Sequence, residues 1–123
     1  MKTTTPFDVS EFVRGFEQWD VPALLALYDD DVELTQIDPE NPPDNPKVTR
    51  GRDVLQGMFE FGATHGVTAS VEHVVVAADR AAATVTCVLP DGRHVVANCI
   101  LEIDDGRIVR EIDVVASDPV KGA

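Results

Sequence analysis

The stretch GRIVREIDVVA at residues 106–116 has the composition of a β-strand and follows the turn Asp104-Asp105-Gly106. It contains two acidic residues at alternate positions, Glu111 and Asp113. Because successive side chains of a strand point to opposite faces, these two carboxyl groups share one face. They define a site if that face is enclosed, and they belong to an ordinary solvated strand if it faces water.

The alternation in this strand, taken alone, favours the solvated orientation. Only Arg110 interrupts the apolar face of the strand, which consists of Ile108, Ile112 and Val114. In the opposite orientation, the acids share an enclosed face with Val109 and Val115. Desolvation among valines raises the pKa of a carboxyl group towards the range of a general base.

Length and composition indicate one domain, predicted over residues 7–117 with flexible tails at 1–6 and 118–123. The chain has 123 residues, of which 44% are hydrophobic and 26% charged. No apolar run is long enough to span a membrane, and the N-terminus lacks the apolar segment of a signal peptide. We therefore expect a cytoplasmic protein that does not act at a membrane.

The net charge of -12 repels phosphate backbones, and no basic patch is visible in the sequence, so we expect no nucleic-acid partner. Cys87 and Cys99 lie in apolar runs and are predicted to be buried free thiols. The three histidines show no metal-ligand spacing, and there is no CxxC motif. The sequence therefore predicts neither a metal site nor a cofactor.

Three helices are predicted in the first half of the chain. The first runs from about residue 9 to Gln18, with Asp8 as its N-cap and Phe7 packed on Phe12. The second follows the cap Asp20 and extends to Tyr28, where residues 29–31 close it. The third starts at residues 51–53 and ends near Gly62. Its inward residues are predicted to be Val54, Leu55, Met58, Phe59 and Phe61.

Strands are predicted at residues 32–37, 69–76, 81–89, 93–103 and 107–116, with a loop at 38–46 that contains four prolines. The stretches 81–89 and 95–101 are almost continuously apolar, which is typical of strands covered on both faces. Three helices can cover only one face. The sequence therefore predicts a homodimer that buries the outer face of the sheet.

This element order, with WD at 19–20, LYDDDV at 27–32, RGRDVL at 50–55 and DGRIV at 105–109, resembles the nuclear transport factor 2-like, or SnoaL-like, superfamily. The resemblance covers nearly the whole chain. It implies an α+β fold in which a cone-shaped, curved antiparallel sheet wraps around three N-terminal helices. Members include isomerases, cyclases, dehydratases, epoxide hydrolases and proteins without catalytic activity, so the resemblance alone does not define an activity.

Two branches of this superfamily allow a comparison residue by residue. The ketosteroid isomerases, a worked example of pKa tuning, have four functional positions that correspond here to Gln36, Phe12, Cys99 and Phe59, none of which keeps the isomerase residue. The epoxide hydrolases similar to limonene epoxide hydrolase have a water-activating aspartate at the position of Asp113. Their arginine and second aspartate fall near Ala82 and Thr84, so that triad is incomplete.

The resemblance implies that Glu111 and Asp113 line a cavity, which reverses the orientation that alternation favours. We expect a small apolar ligand there, with Asp113 as general acid/base, Glu111 tuning it, and an isomerase, cyclase or hydrolase activity without a cofactor. The alternative is a non-catalytic ligand-binding or dimerisation module. The predicted ligand-binding residues are Phe12, Phe16, Trp19, Tyr28, Gln36, Met58, Phe59, Thr84, Cys99 and Val115.

Overall fold

The computed structural model describes residues 5–120. This part of the chain contains three helices and six strands, in the order α1 (Val9–Gln18), α2 (Val21–Leu25), β1 (Tyr28–Ile37), β2 (Lys47–Arg50), α3 (Arg52–Thr64), β3 (Thr68–Val76), β4 (Arg80–Val88), β5 (His94–Asp104) and β6 (Arg107–Ser117). The predicted strands of the second half are confirmed to within one or two residues.

The six strands form one curved, unclosed sheet in the order β2-β1-β6-β5-β4-β3. Neighbouring strands are antiparallel, except that β1 runs parallel to β6. The aromatic residues of α1 and α3 pack with the inner face of the sheet in one core that includes Phe12, Phe16 and Phe59. The predicted cone-shaped α+β fold is confirmed.

The start of α1 follows its sequence signals. The Asp8 side chain accepts a hydrogen bond from the backbone N–H of Glu11 at 3.1 Å, which satisfies one of the free donors of the first turn. The rings of Phe7 and Phe12 lie 5.8 Å apart, as expected for a hydrophobic staple. The helix therefore begins where the sequence predicted.

The predicted end of α2 is wrong. The helix stops at Leu25, and β1 begins at Tyr28 and includes residues 29–31, the acids that were expected to close the helix. Pairing with β6 decides this boundary, because the N–H of Ile108 donates to the carbonyl of Leu27 at 2.8 Å. This tertiary hydrogen bond outweighs the local helix propensity of the segment. The short strand β2, which follows the proline-containing loop, was not predicted.

Both termini of the described range contact the body of the domain. The Thr5 amide donates to Asp105 Oδ1 at 2.8 Å, and the His94 amide donates to Asp118 Oδ2 at 2.8 Å. Residues 1–4 and 121–123 of the predicted tails lie outside the described range. The domain boundaries at 7 and 117 therefore stay a prediction.

A β-bulge in β6 changes the direction of its side chains. Ile103 pairs with Ile108, but the preceding residue of β5, Glu102, pairs with Arg110, so Val109 is an extra residue in β6. The alternation changes phase at this residue. Ile108 points inward before the bulge, and Glu111 points inward three residues later. Val109 was expected on the face of the acids, and that expectation is wrong.

The outer face of the sheet has a row of alternating charges across five strands. In strand order, this ion-pair row consists of Arg50, Glu33, Arg110, Glu102 and Arg80, each paired in register with its neighbour. The N–O distances between successive members are 3.3, 2.7, 3.6 and 3.4 Å. The next row on the same face includes the aliphatic residues Ile112, Ile100 and Val75. Across residues 5–120, no helix is long and apolar enough to cross a membrane.

Candidate functional site

A cavity of about 640 Å³ lies between the inner face of the sheet and helices α1 and α3. Aromatic and aliphatic side chains form most of its wall. Its polar lining comes from the strands, and the two acids Glu111 and Asp113, here called the acid pair, are part of that lining. The acid pair is only 5% and 4% exposed, so both carboxyl groups point inward. The orientation that the family resemblance implied is confirmed, and the one that alternation favoured is wrong.

Most of the predicted ligand-binding residues line this cavity, namely Phe16, Trp19, Gln36, Met58, Phe59, Cys99 and Val115. Phe12 and Tyr28 do not line it, because both are fully buried in the core behind the wall. Thr84 lies on the other face of the sheet, where its hydroxyl donates to Asn98 Oδ1 at 2.8 Å. Met58 and Phe61 are more than one third exposed and are not fully inward as predicted.

Glu111 occupies an otherwise apolar position, in which a tyrosine donates a hydrogen bond to it. The register places it between Leu34 of β1 and Leu101 of β5, both of which are buried. The Tyr28 hydroxyl donates to Glu111 Oε1 at 2.6 Å. Burial, and then the nearby charge of Asp113, raises the pKa of Glu111 well above its ordinary value. The apolar position of Glu111 therefore favours its protonated form.

Asp113 lies two residues further along β6, in a more polar position. Its register partners on the same face are Gln36 of β1 and Cys99 of β5. Burial raises the pKa of Asp113, whereas hydrogen bonding from Glu111 and Cys99 opposes this rise. Asp113 Oδ1 is buried and has no hydrogen-bond partner among residues 5–120. Asp113 therefore occupies the more polar of the two positions and has a buried oxygen without a hydrogen-bond partner among these residues.

The two environments separate the roles of two similar groups. A neutral carboxylic acid can donate a proton and an adjacent carboxylate can accept one, which is the arrangement that acid/base catalysis uses. Because the carboxyls interact, their protons leave in two steps that belong to the pair and not to either residue alone. The burial of Tyr28 beside Glu111 also raises the pKa of the phenol well above its ordinary value. Tyr28 therefore stays a hydrogen-bond donor at neutral pH.

Both cysteines are free thiols, as predicted, and both line the cavity. Burial raises the pKa of Cys99 and of Cys87, so neither is a ready thiolate. The donor atoms of Cys99, Glu111 and Asp113 lie within 4.8 Å of one another and could reach one metal ion. An ion would have to displace the protons of Glu111 and Cys99, which disfavours metal binding at neutral pH. The absence of a metal or cofactor stays a prediction.

Trp19 forms a fixed part of the wall. It adopts the left-handed conformation with a φ of 49° at the end of α1, and its indole N–H donates to the Val67 carbonyl at 2.7 Å. Its ring lies directly against Gly62 of α3, where a Cβ atom would overlap the indole. Only glycine at position 62 permits this approach.

The sequence interpretation missed two features of the site. It did not identify the inward residues Val85, Cys87, Val95 and Ala97, although alternation backwards from Cys99 would have found the last two. It also treated Tyr28 as a ligand contact and not as the donor to Glu111. No local signal could have revealed that bond, because 83 residues separate its partners.

Comparison with known proteins identifies the family. The sequence profile of the SnoaL-like domain matches residues 9–111, which is most of the chain and includes Glu111 but not Asp113. The chain therefore belongs to the SnoaL-like family. Among curated proteins, none matches it.

Several solved structures have a similar fold, and three of them are described below. An NTF2-like protein of unknown function from Mesorhizobium loti is 26% identical, with 88% of this chain and 87% of that chain covered and a TM-score of 0.71. A candidate ketosteroid isomerase from Kribbella flavida is 20% identical, with 93% and 80% covered and a TM-score of 0.70. An LEH-like epoxide hydrolase from M. tuberculosis is 15% identical, with 88% and 79% covered and a TM-score of 0.65. At these identities, the last two show the fold alone.

Proposed function

We propose that this protein binds a small apolar molecule in its cavity and catalyses a proton transfer on it, with Asp113 as general acid/base and without a cofactor. The observation that carries this proposal is the acid pair, buried in the lining of an apolar cavity. A buried carboxylate that no cation neutralises costs stability, and such groups are concentrated at functional sites. The cavity volume lies within the usual range of ligand sites.

Each polar residue of the site has a role in this proposal. Asp113 takes a proton from the substrate or from water and later returns it. Glu111, held by the Tyr28 hydroxyl, keeps its proton and stabilises the ionised form of Asp113. Gln36 is the register neighbour of Asp113 on β1, and its amide orients the polar end of the ligand. An isomerase, a cyclase and a hydrolase can all use this arrangement.

Proton exchange tests the proposal without knowledge of the natural substrate. Apolar cyclic ketones are incubated with the protein in deuterium oxide, and deuterium incorporation beside the carbonyl is followed by NMR. A parallel series of apolar epoxides is assayed for hydrolysis. We expect catalysis of at least one reaction, and we expect Asp113→Asn to reduce it to the background rate without lowering the melting temperature. Undiminished catalysis by Asp113→Asn would refute the role of Asp113.

A second candidate function is a non-catalytic ligand-binding module. The identity of Gln36, Phe12, Cys99 and Phe59 favours it, because these residues occupy the four positions at which the isomerases have their functional groups. This candidate predicts saturable ligand binding without turnover of any ketone or epoxide in the series. The same assays therefore separate the two functions.

We also propose a homodimer that forms through the outer face of the sheet. Ile100 and Val114 are 47% and 50% exposed on that face, and together with Ile112, which pairs with Ile100, they form an apolar patch beside the ion-pair row. We expect light scattering to give twice the monomer mass and Ile100→Asp to give a monomer. A monomeric wild-type protein at micromolar concentration would refute this interface. A cytoplasmic location, which suits two free thiols, remains part of the proposal.

A further inference from the structure

The charged groups that line the cavity are all acidic. Glu111 and Asp113 contribute two carboxyls, and no lysine, arginine or histidine within residues 5–120 lines it. The chain as a whole has a net charge of -12, which attracts cations and repels anions during encounter. A ligand with a carboxylate or phosphate would meet this site without a counter-charge. The electrostatics therefore disfavour anionic ligands.

The polar atom of the site that lacks a partner is a hydrogen-bond acceptor. Asp113 is 4% exposed, lines the cavity and leaves Oδ1 without a hydrogen-bond partner in the part of the chain that the structure describes. A buried acceptor without a donor destabilises the protein, and more so if the acceptor is charged. The group that satisfies it must donate a hydrogen bond, and a cationic donor also compensates the charge.

The wall of the cavity suits the remainder of such a ligand. Phe16, Trp19, Phe59 and Phe61 present aromatic rings, and Met58 adds a polarisable thioether. Aromatic faces attract cations through their quadrupole and also bury apolar carbon. The same wall can therefore hold a hydrocarbon body and tolerate a positive charge near its polar end.

We propose that the ligand of this cavity is an apolar amine, bound as its ammonium ion with an N–H donated to the Asp113 carboxylate. This inference rests on the proposed ligand-binding role of the cavity and specifies the chemical class of the ligand. Transfer of one proton from the ammonium to Asp113 gives a neutral amine and a neutral carboxylic acid, with no other bond changed. The acid/base function of Asp113 would thus act on the nitrogen itself.

Three ligands of the same shape test this class, namely phenylbutylamine, phenylbutanol and phenylbutyrate. Trp19 is the single tryptophan of the chain and lines the cavity, so its fluorescence reports binding, with calorimetry as a second measurement. We expect the amine to bind at least about tenfold more tightly than the alcohol, as a charge-assisted hydrogen bond predicts. The carboxylate should bind more weakly than either.

Two variants separate the site from the overall charge of the protein. Asp113→Asn should bring the affinity for the amine down to that for the alcohol. Glu72→Gln removes one negative charge from β3, where Glu72 pairs in register with the outward Thr84, and should keep the preference for the amine. A preference that persists in Asp113→Asn, equal affinity for amine and alcohol, or no measurable binding of the amine would each overturn the proposal.

The outcomes also distinguish a failure of the proposed ligand class from a failure of the proposed catalytic function. If amine and alcohol bind equally while Asp113→Asn abolishes catalysis on ketones or epoxides, the amine class is wrong and the acid/base function stands. In another outcome, the amine binds more tightly than the alcohol, Asp113→Asn removes this preference, and no substrate shows proton exchange or hydrolysis. The amine class then stands and the catalytic function is wrong.

Discussion

Arg110 and Glu111 are consecutive residues of β6, and they lie on opposite faces of the same sheet. On the outer face, Arg110 donates to Glu33 at 2.7 Å within a row of three arginines and two glutamates. On the inner face, Glu111 and Asp113 are buried together, and their register neighbours are Leu34, Leu101, Gln36 and Cys99. The Tyr28 hydroxyl is the hydrogen-bond donor to Glu111. The outer acids are thus paired with cations, and the inner acids are paired with each other.

This difference separates structural charge from functional charge. Exposed ion pairs contribute little to the free energy of unfolding, and salt screens them. The outer row therefore has little effect on stability. A buried pair of acids without a cation lowers stability, and an apolar pair of the same shape would pack there without that cost. The presence of the inner acids therefore requires a functional explanation.

The same substitution on the two faces gives the sharpest contrast. Glu111→Gln should lower the rate of catalysis by about ten- to a hundredfold, less than the loss of the general base itself. It should also simplify the pH–rate profile from two coupled ionisations to one. Glu102→Gln in the outer row should leave the rate and the profile unchanged. Equal effects of the two variants in the exchange or hydrolysis assay would contradict a special role for the inner face.

The stability of the protein should decrease as the pH rises above the ordinary pKa values of the acid pair, 4.5 for Glu111 and 3.8 for Asp113. Because the pKa of each acid is raised in the folded state, folded protein binds more protons than unfolded protein in that window. Each such proton costs about 1.4 kcal/mol per pH unit until the pH passes the folded pKa. Below the ordinary pKa values both states are protonated, and the penalty vanishes.

Urea unfolding at several pH values, compared with the double variant Glu111→Gln/Asp113→Asn, measures this slope. Contributions of other groups cancel in the difference, including Glu11 and Asp20, whose pKa Arg14 lowers. A difference in unfolding free energy that is independent of pH would show that the acid pair has ordinary pKa values.

Removal of the Tyr28 hydroxyl tests the hydrogen bond that holds Glu111. Tyr28→Phe leaves Glu111 Oε1 buried without its donor and should reduce the free energy of unfolding by about 1–3 kcal/mol. In a Glu111→Leu background the same change should cost little, because there is no acceptor left to satisfy. Urea unfolding of the four proteins of this cycle measures the coupling, and a coupling near zero would exclude the bond from the folded protein.

Two glycines of α3 provide a matched test of the cavity wall. Gly62→Ala places a methyl group inside the Trp19 ring, and such overpacking costs about 1–3 kcal/mol. Gly57→Ala meets no atom within 4 Å and should stabilise the helix by about 0.5–1 kcal/mol. Thermal unfolding compares the two, and the fluorescence of Trp19 should change only in Gly62→Ala. Similar stabilisation by both would mean that the indole does not lie against Gly62.

The smallest effect is expected on the outer face. Arg110→Gln removes the central cation of the ion-pair row and should cost less than about 1 kcal/mol in unfolding free energy, because Arg110 is half exposed. High salt should abolish the difference from the wild type. A loss of several kcal/mol that persists in high salt would show that the row is buried in an assembly.

Local signals predicted much of the fold. The cap at Asp8, the contact between Phe7 and Phe12, and the turn at residues 104–106 define element bounds through residues that are close in sequence. The start of β1 could not be predicted in this way, because Tyr28 joins the strand through its pairing with Ile108 of β6, which is distant in sequence. The cavity was predictable in part, since Phe16, Gln36, Met58, Phe59 and Cys99 all line it.

The sequence alone indicated the family, the order of the elements apart from β2, and the presence of two acids on one face of the last strand. The tertiary structure decided which face that is. Strand alternation has a fixed period of two, but the extra residue Val109 shifts the phase of β6, so Ile108 and Glu111 both point inward. A bulge is a property of the register between β5 and β6, and that register exists only in the folded protein.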